Sequence, residues 1–199
     1  MTGKGNGAAL QTQEITGSRS CVSKIAQIFE AHRGERHVIV IHDFPDPDAI
    51  SAAFAHRLIS AQFEIETDIL YNGKISHQQN IALVKLLGLN LLHFDPELEL
   101  TQYQGAVFVD NQGTMAEDIV VALEASGVPI LMVIDHHEVQ ERLKPEFTDL
   151  RRTGAVATIY AQYMEQGLLE LDKGRKEHII AATALMHGLI SDTNGFIRA

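Results

Sequence analysis

Three uninterrupted apolar runs, Val38-Ile39-Val40-Ile41, Ala106-Val107-Phe108-Val109 and Ile130-Leu131-Met132-Val133-Ile134, constrain the fold of this chain most. A strand with one wet face alternates apolar and polar residues. One that is apolar at every position is covered on both faces, as in a parallel sheet with helices on either side. Helical periodicity fills the intervals: Val22 to Ala31, Ala49 to Gln62, a helix opened by Ser76 and running to Leu87, Met115 to Ser126, Gly154 to Met164, and Glu177 to Ile190. Two further strands are expected, Glu64 to Tyr71 and Leu91 to Phe94, with turns at Gly34, Asn72-Gly73 and Gly127-Val128-Pro129. The expected fold is α/β, a mainly parallel sheet flanked by helices.

At 199 residues the chain can bury a substantial core. Its formal net charge of -10 argues against a protein that grips duplex nucleic acid by broad phosphate neutralisation. Small or single-stranded anionic substrates remain compatible where metal ions reverse the local field. The single cysteine, Cys21, permits neither an internal disulfide nor a thiolate zinc site, which fits a reducing, cytoplasmic setting. No apolar run approaches a membrane span, so no membrane partner is expected. Residues 1–20, rich in Gly, Thr, Ser and Gln, lack the apolar core of a secretory signal and read as a disordered lead to a domain over 21–199.

The chemistry gathers where the apolar runs end. His42, Asp46 and Asp48 follow the first, Asp110 closes the second, and Asp135-His136-His137 closes the third; Asp192 follows the last helix. Each has a local explanation. Asp46, Pro47 and Asp48 are good N-cap and first-turn residues, and Asp110 before Asn111-Gln112-Gly113 can open a turn. In a parallel sheet, however, these ends share one edge, and ligands bind outside the carboxyl ends of the strands. By contrast, His56 on its helix and His77 in a first turn read as structural or surface residues. Four aspartates and two histidines exceed the needs of one cation and suit two with a bridging carboxylate. A further histidine beside them would donate a charged hydrogen bond to a phosphoryl group. The matching reaction is hydrolysis of a phosphoester or phosphoanhydride.

In these residues the chain resembles the DHH phosphoesterase family of the RecJ-like superfamily, over about Ser23 to Ala199. The motifs His42-x-x-x-Asp46-x-Asp48, Asp110, Asp135-His136-His137 and Asp192 come in the family's order, and the look is nearest the branch of oligoribonuclease and phosphoadenosine-phosphate phosphatases. The resemblance implies that His42, Asp46 and Asp110 hold one Mn²⁺ and that Asp48, Asp110, His136 and Asp192 hold a second, with Asp110 as the bridge. It makes His137 the residue facing the substrate phosphate and Asp135 the carboxylate that orients its neighbours. It also implies a small nucleotide, such as a 3′,5′-bisphosphonucleoside, or a short single-stranded oligonucleotide as substrate, and a homodimer is compatible with it. Alternatives are a cyclic-dinucleotide phosphodiesterase or inorganic pyrophosphatase of the same superfamily, or a nucleotide-binding regulatory protein without turnover.

The chain departs from the family pattern at Ile50-Ser51-Ala52, where a Gly-Ser pair is common, and at Asn111, where Ser or Thr is common. It stops at Ala199, directly after the last motif. A fragment lacking the family's second, substrate-binding domain, DHHA1, is therefore expected, with weak turnover on its own.

Overall fold

A computed structural model describes residues 21–197; the expected disordered lead lies outside the described residues. The elements run α1 (residues 21–31), β1 (Arg36–Val40), α2 (Pro47–Gln62), β2 (Glu66–Tyr71), α3 (Gln78–Leu86), β3 (Leu91–His93), β4 (Gly105–Val109), α4 (Glu117–Ser126), β5 (Ile130–Asp135), β6 (Phe147–Leu150), α5 (Val156–Glu165) and α6 (Lys176–Asp192). The six strands pair in the order β3-β2-β1-β4-β5-β6, every pair parallel.

The continuous apolar runs are accounted for by two cores, one on each face of the sheet. Ile39 and Ile41 enter a core with Ile25 and Phe29 of α1, Phe54 and Ile59 of α2, Tyr160 of α5 and Leu185 of α6. Val38 and Val40 point the other way, into a core with Phe108 and with Ile119 and Leu123 of α4. Each fully buried side chain of this size contributes roughly 1.5–3 kcal/mol. Neither face of β1 can therefore tolerate a polar residue without a partner. His56 is buried as a structural residue, its Nδ1 2.9 Å from the Tyr160 hydroxyl.

The structure differs from expectation in three places. β6 is an additional parallel edge strand, reached from β5 through residues 136–146 without an intervening helix. The α3 N-cap is His77, not Ser76, whose hydroxyl instead donates to the Lys74 carbonyl at 3.3 Å. Finally, α6 extends to Asp192, so that residue sits in the last helical turn rather than in a loop. Among the described residues no helix is long and apolar enough to cross a membrane.

Candidate metal centre

β1 and β4 are neighbours from which the chain proceeds in opposite directions across the sheet, to β2 and to β5, and the crevice between their carboxyl ends is a topological switch point. His42 leaves β1 here. Four residues on, Asp46 caps α2, its Oδ1 accepting from the Ala49 amide at 3.0 Å, with Pro47 as the first helical residue. The same Oδ1 lies 3.8 Å from His42 Nε2, so capping and cation binding are compatible uses of one carboxylate. Asp48, buried in the first turn of α2, accepts from the Val156 and Ala157 amides at 2.7 and 2.9 Å. These are donors that the start of α5 cannot satisfy internally.

Asp110 ends β4 in the left-handed region, φ +59°, a conformation Asp tolerates better than most residues. Its neighbour Asn111 holds the turn, donating to the Val40 carbonyl at 3.1 Å and accepting from the Gly113 amide at 3.0 Å. The Asn111 side chain thus ties β1 to β4 beside the crevice.

The two oxygens of Asp110 face two different groups. Oδ2 lies 3.7 Å from His42 Nε2, and Oδ1 lies 3.4 Å from His136 Nε2. His136 Nε2 is also 3.4 Å from Asp192 Oδ2 and 3.8 Å from Asp48 Oδ2. Most of these separations exceed a good hydrogen bond. They approach the spacing of donors that each stand about 2.0–2.2 Å from a shared ion. Asp110 Oδ1 is buried with no hydrogen-bond partner. His136 Nδ1 lies 3.0 Å from the Thr153 carbonyl, which fixes the tautomer and turns the Nε2 lone pair toward the carboxylates. An orphaned carboxylate oxygen and a pre-oriented imidazole nitrogen are donors in search of a cation.

The electrostatics agree. Burial, then the charge of Asp110, pushes Asp48 up to about 8. Burial lifts Asp110 to about 6 against the pull of His136. Burial opposes charge on His136, but the Asp110 carboxylate prevails and raises it to about 9. So many carboxylates in a dry crevice demand positive charge.

Asp135 closes β5 and is fully buried. Its Oδ1 accepts from the His136 amide at 2.8 Å and meets His137 Nδ1 at 2.8 Å. The hydrogen bond to Asp135 is the main cause of the raised pKa of His137, a half-exposed ring. The other carboxylate oxygen, Oδ2, accepts from Gln112 Nε2 at 2.7 Å. Gln112 is buried, donates to the Glu138 carbonyl at 3.0 Å and accepts from the Gln140 amide at 2.7 Å. It therefore fixes the segment that follows the triplet, and sequence reasoning took it only as a turn residue. The structure brings together His42, Asp46, Asp48, Asp110, His136 and Asp192, with His137 at the rim and Asp135 behind it.

The chain shares its fold with an exopolyphosphatase-related protein. That protein, from Bacteroides fragilis, superposes with a TM-score of 0.71 at 19% identity, over 89% of this chain and 51% of the other. RecJ from Thermus thermophilus, solved in complex with Mn²⁺, gives a TM-score of 0.42 at 15% identity over 92% of this chain and 27% of that one, too distant to bear on the chemistry here. No protein-family model matches the chain. An uncharacterized protein of Methanocaldococcus jannaschii is 32% identical over 190 residues, which are 95% of this chain and 36% of that protein. The chain spans about a third of this curated relative's length and about half of the structural neighbour's.

Proposed function

We propose that this chain is the metal-binding domain of a DHH-type phosphoesterase. It hydrolyses a short single-stranded oligonucleotide or a small nucleotide such as a 3′,5′-bisphosphonucleoside, with two divalent cations, Mn²⁺ foremost. The observation that carries this reading is Asp110, each of whose oxygens faces a different His and carboxylate group. His42, Asp46 and Asp110 would hold one cation; Asp48, Asp110, His136 and Asp192 would hold the other. Bound there, two such ions would supply an acidified water and positive charge against the phosphoryl group. The chain's own part is orientation. Asp135 occupies His137 Nδ1, leaving Nε2 to donate a charged hydrogen bond to a phosphoryl oxygen at the open side of the crevice. Thr153 and the α5 amides keep His136 and Asp48 from turning away.

The name of the Bacteroides fragilis protein favours a second reading, cleavage of a phosphoanhydride such as pyrophosphate. One panel tests both: a dinucleotide, a 3′,5′-bisphosphonucleoside and pyrophosphate, each with Mn²⁺ and with chelator. Chelator-sensitive release from a nucleotide supports the first reading, and release from pyrophosphate alone moves the assignment to the second. Asp110→Asn should lower turnover on the order of 10³-fold and empty both cation positions. Retained two-ion occupancy in that variant would refute the bridge. No hydrolysis, with Mn²⁺ and nucleotide still raising the melting temperature, would point to a regulatory binder.

A further inference from the structure

At the opposite edge of the sheet a second set of metal-binding side chains lies together. His32 follows α1, Glu35 lies in the connecting turn, and His37 is the second residue of β1. His37 Nε2 meets Glu35 Oε2 at 3.0 Å, and His32 Nδ1 meets the same oxygen at 2.8 Å. On the far side of His32, Nε2 lies 4.0 Å from Glu146 Oε2, just ahead of β6.

His37 is fully buried, yet Glu35 is the hydrogen-bonding partner of its Nε2 alone, and its Nδ1 has no partner among the described residues. The orphaned Nδ1 faces away from Glu35 and does not by itself mark a ligand, since buried His56 has an unpartnered Nε2 as well. What points to a cation is convergence: His37 Nε2 and His32 Nδ1 meet on one carboxylate oxygen of Glu35, with all three donor atoms within 4.8 Å of one another. Burial lowers the pKa of His37 against the opposing pull of Glu35.

We propose that His32, Glu35 and His37 bind one Zn²⁺ ion, with water completing the coordination. Two imidazoles and one carboxylate are a known zinc donor set, and a nitrogen-rich set favours Zn²⁺ over Mg²⁺ or Ca²⁺. His37 and His42 flank opposite ends of β1, roughly 17 Å apart at about 3.3 Å per residue. The ion is thus separate from the crevice pair, and it staples the end of α1 to the centre of the sheet.

The test uses the metal itself. In a His42→Ala/His136→Ala chain stripped with chelator, calorimetric titration should still show one equivalent of Zn²⁺ bound, with a melting temperature raised by several degrees. Adding His32→Ala should abolish that binding. Absence of Zn²⁺ binding in the double variant, or binding indifferent to His32→Ala, overturns the proposal. If the double variant does not fold, native chain and His32→Ala are compared directly. Loss of one equivalent of Zn²⁺ supports the site, and equal stoichiometry refutes it.

Discussion

The residues that would do the chemistry are held by residues that would not. Gln112 shows this most directly, since its amide is the sole side-chain donor to Asp135 Oδ2 among the described residues and also fixes the backbone at Glu138 and Gln140. Gln112→Leu should cost about 1–3 kcal/mol, the penalty of a buried carboxylate oxygen left unpaired. Turnover should fall about 10–100-fold with cation stoichiometry unchanged, as read by activity beside a Mn²⁺ titration; an intact rate would remove Gln112 from the positioning of His137. The convergence of these Asp and His side chains was legible because the carboxyl ends of parallel strands share one edge. Gln112 was not, because a turn residue and a carboxylate support look alike until Asp135 is seen beside it.

His56 makes a different prediction. Burial, with some repulsion from His37, holds its ring neutral down to about pH 3, against 6.5 for the exposed side chain. As pH falls the unfolded chain takes up this proton first. The stability His56 contributes is therefore complete above pH 6.5 and is lost toward pH 3, at up to about 1.4 kcal/mol per pH unit. Urea midpoints measured from about pH 7 to about pH 4, across that window, should fall less steeply in His56→Leu; an unchanged slope would mean that other groups govern the acid limb.

At the scale of elements, the approach of α6 to α2 decides whether the site closes. Gly188 of α6 lies against the first turn of α2, where a Cβ would stand 2.5 Å from Ser51 Oγ and 3.0 Å from Asp48 Cα. One turn further along α6 comes Asp192. Gly188→Ala must push the helices apart, costing about 1–3 kcal/mol and drawing Asp192 away from His136. Cation affinity should fall with stability, whereas a surface Ala substitution at Thr183 should change neither. If Gly188→Ala binds Mn²⁺ as tightly as the native chain, α6 is not what places Asp192. Sequence revealed β1, β4 and β5 by their full apolar signature, and β2 and β3 by β-rich runs bounded by turn residues. β6 escaped because Phe147-Thr148-Asp149-Leu150 is short and half polar. Its buried Asp149 is satisfied by Arg151 two residues on and, from elsewhere, by the Tyr163 hydroxyl at 2.6 Å and the Cys21 thiol at 3.1 Å. Nothing local announces the last two.

Across the whole molecule, the two proposed metal positions divide the sheet into two ends with different work. The carboxyl edge gathers donors from after β1, β4 and β5 and from α6, while the amino edge joins α1 to β1. The central pairing of β1 with β4 sets Val40 against Phe108, residues far apart in sequence, so the sheet cannot form from local contacts alone. The crevice inherits that dependence. His42 emerges early during synthesis and Asp192 near the end of the described chain, and between them lie Asp48, Asp110 and His136. A ribosome-bound chain that has not yet released α6 holds an incomplete set of donors, and so does a folded chain from which α6 has peeled away. Cation release should then track detachment of the terminal helix rather than melting of the sheet, and amide exchange along α6 should slow first as the ions are added.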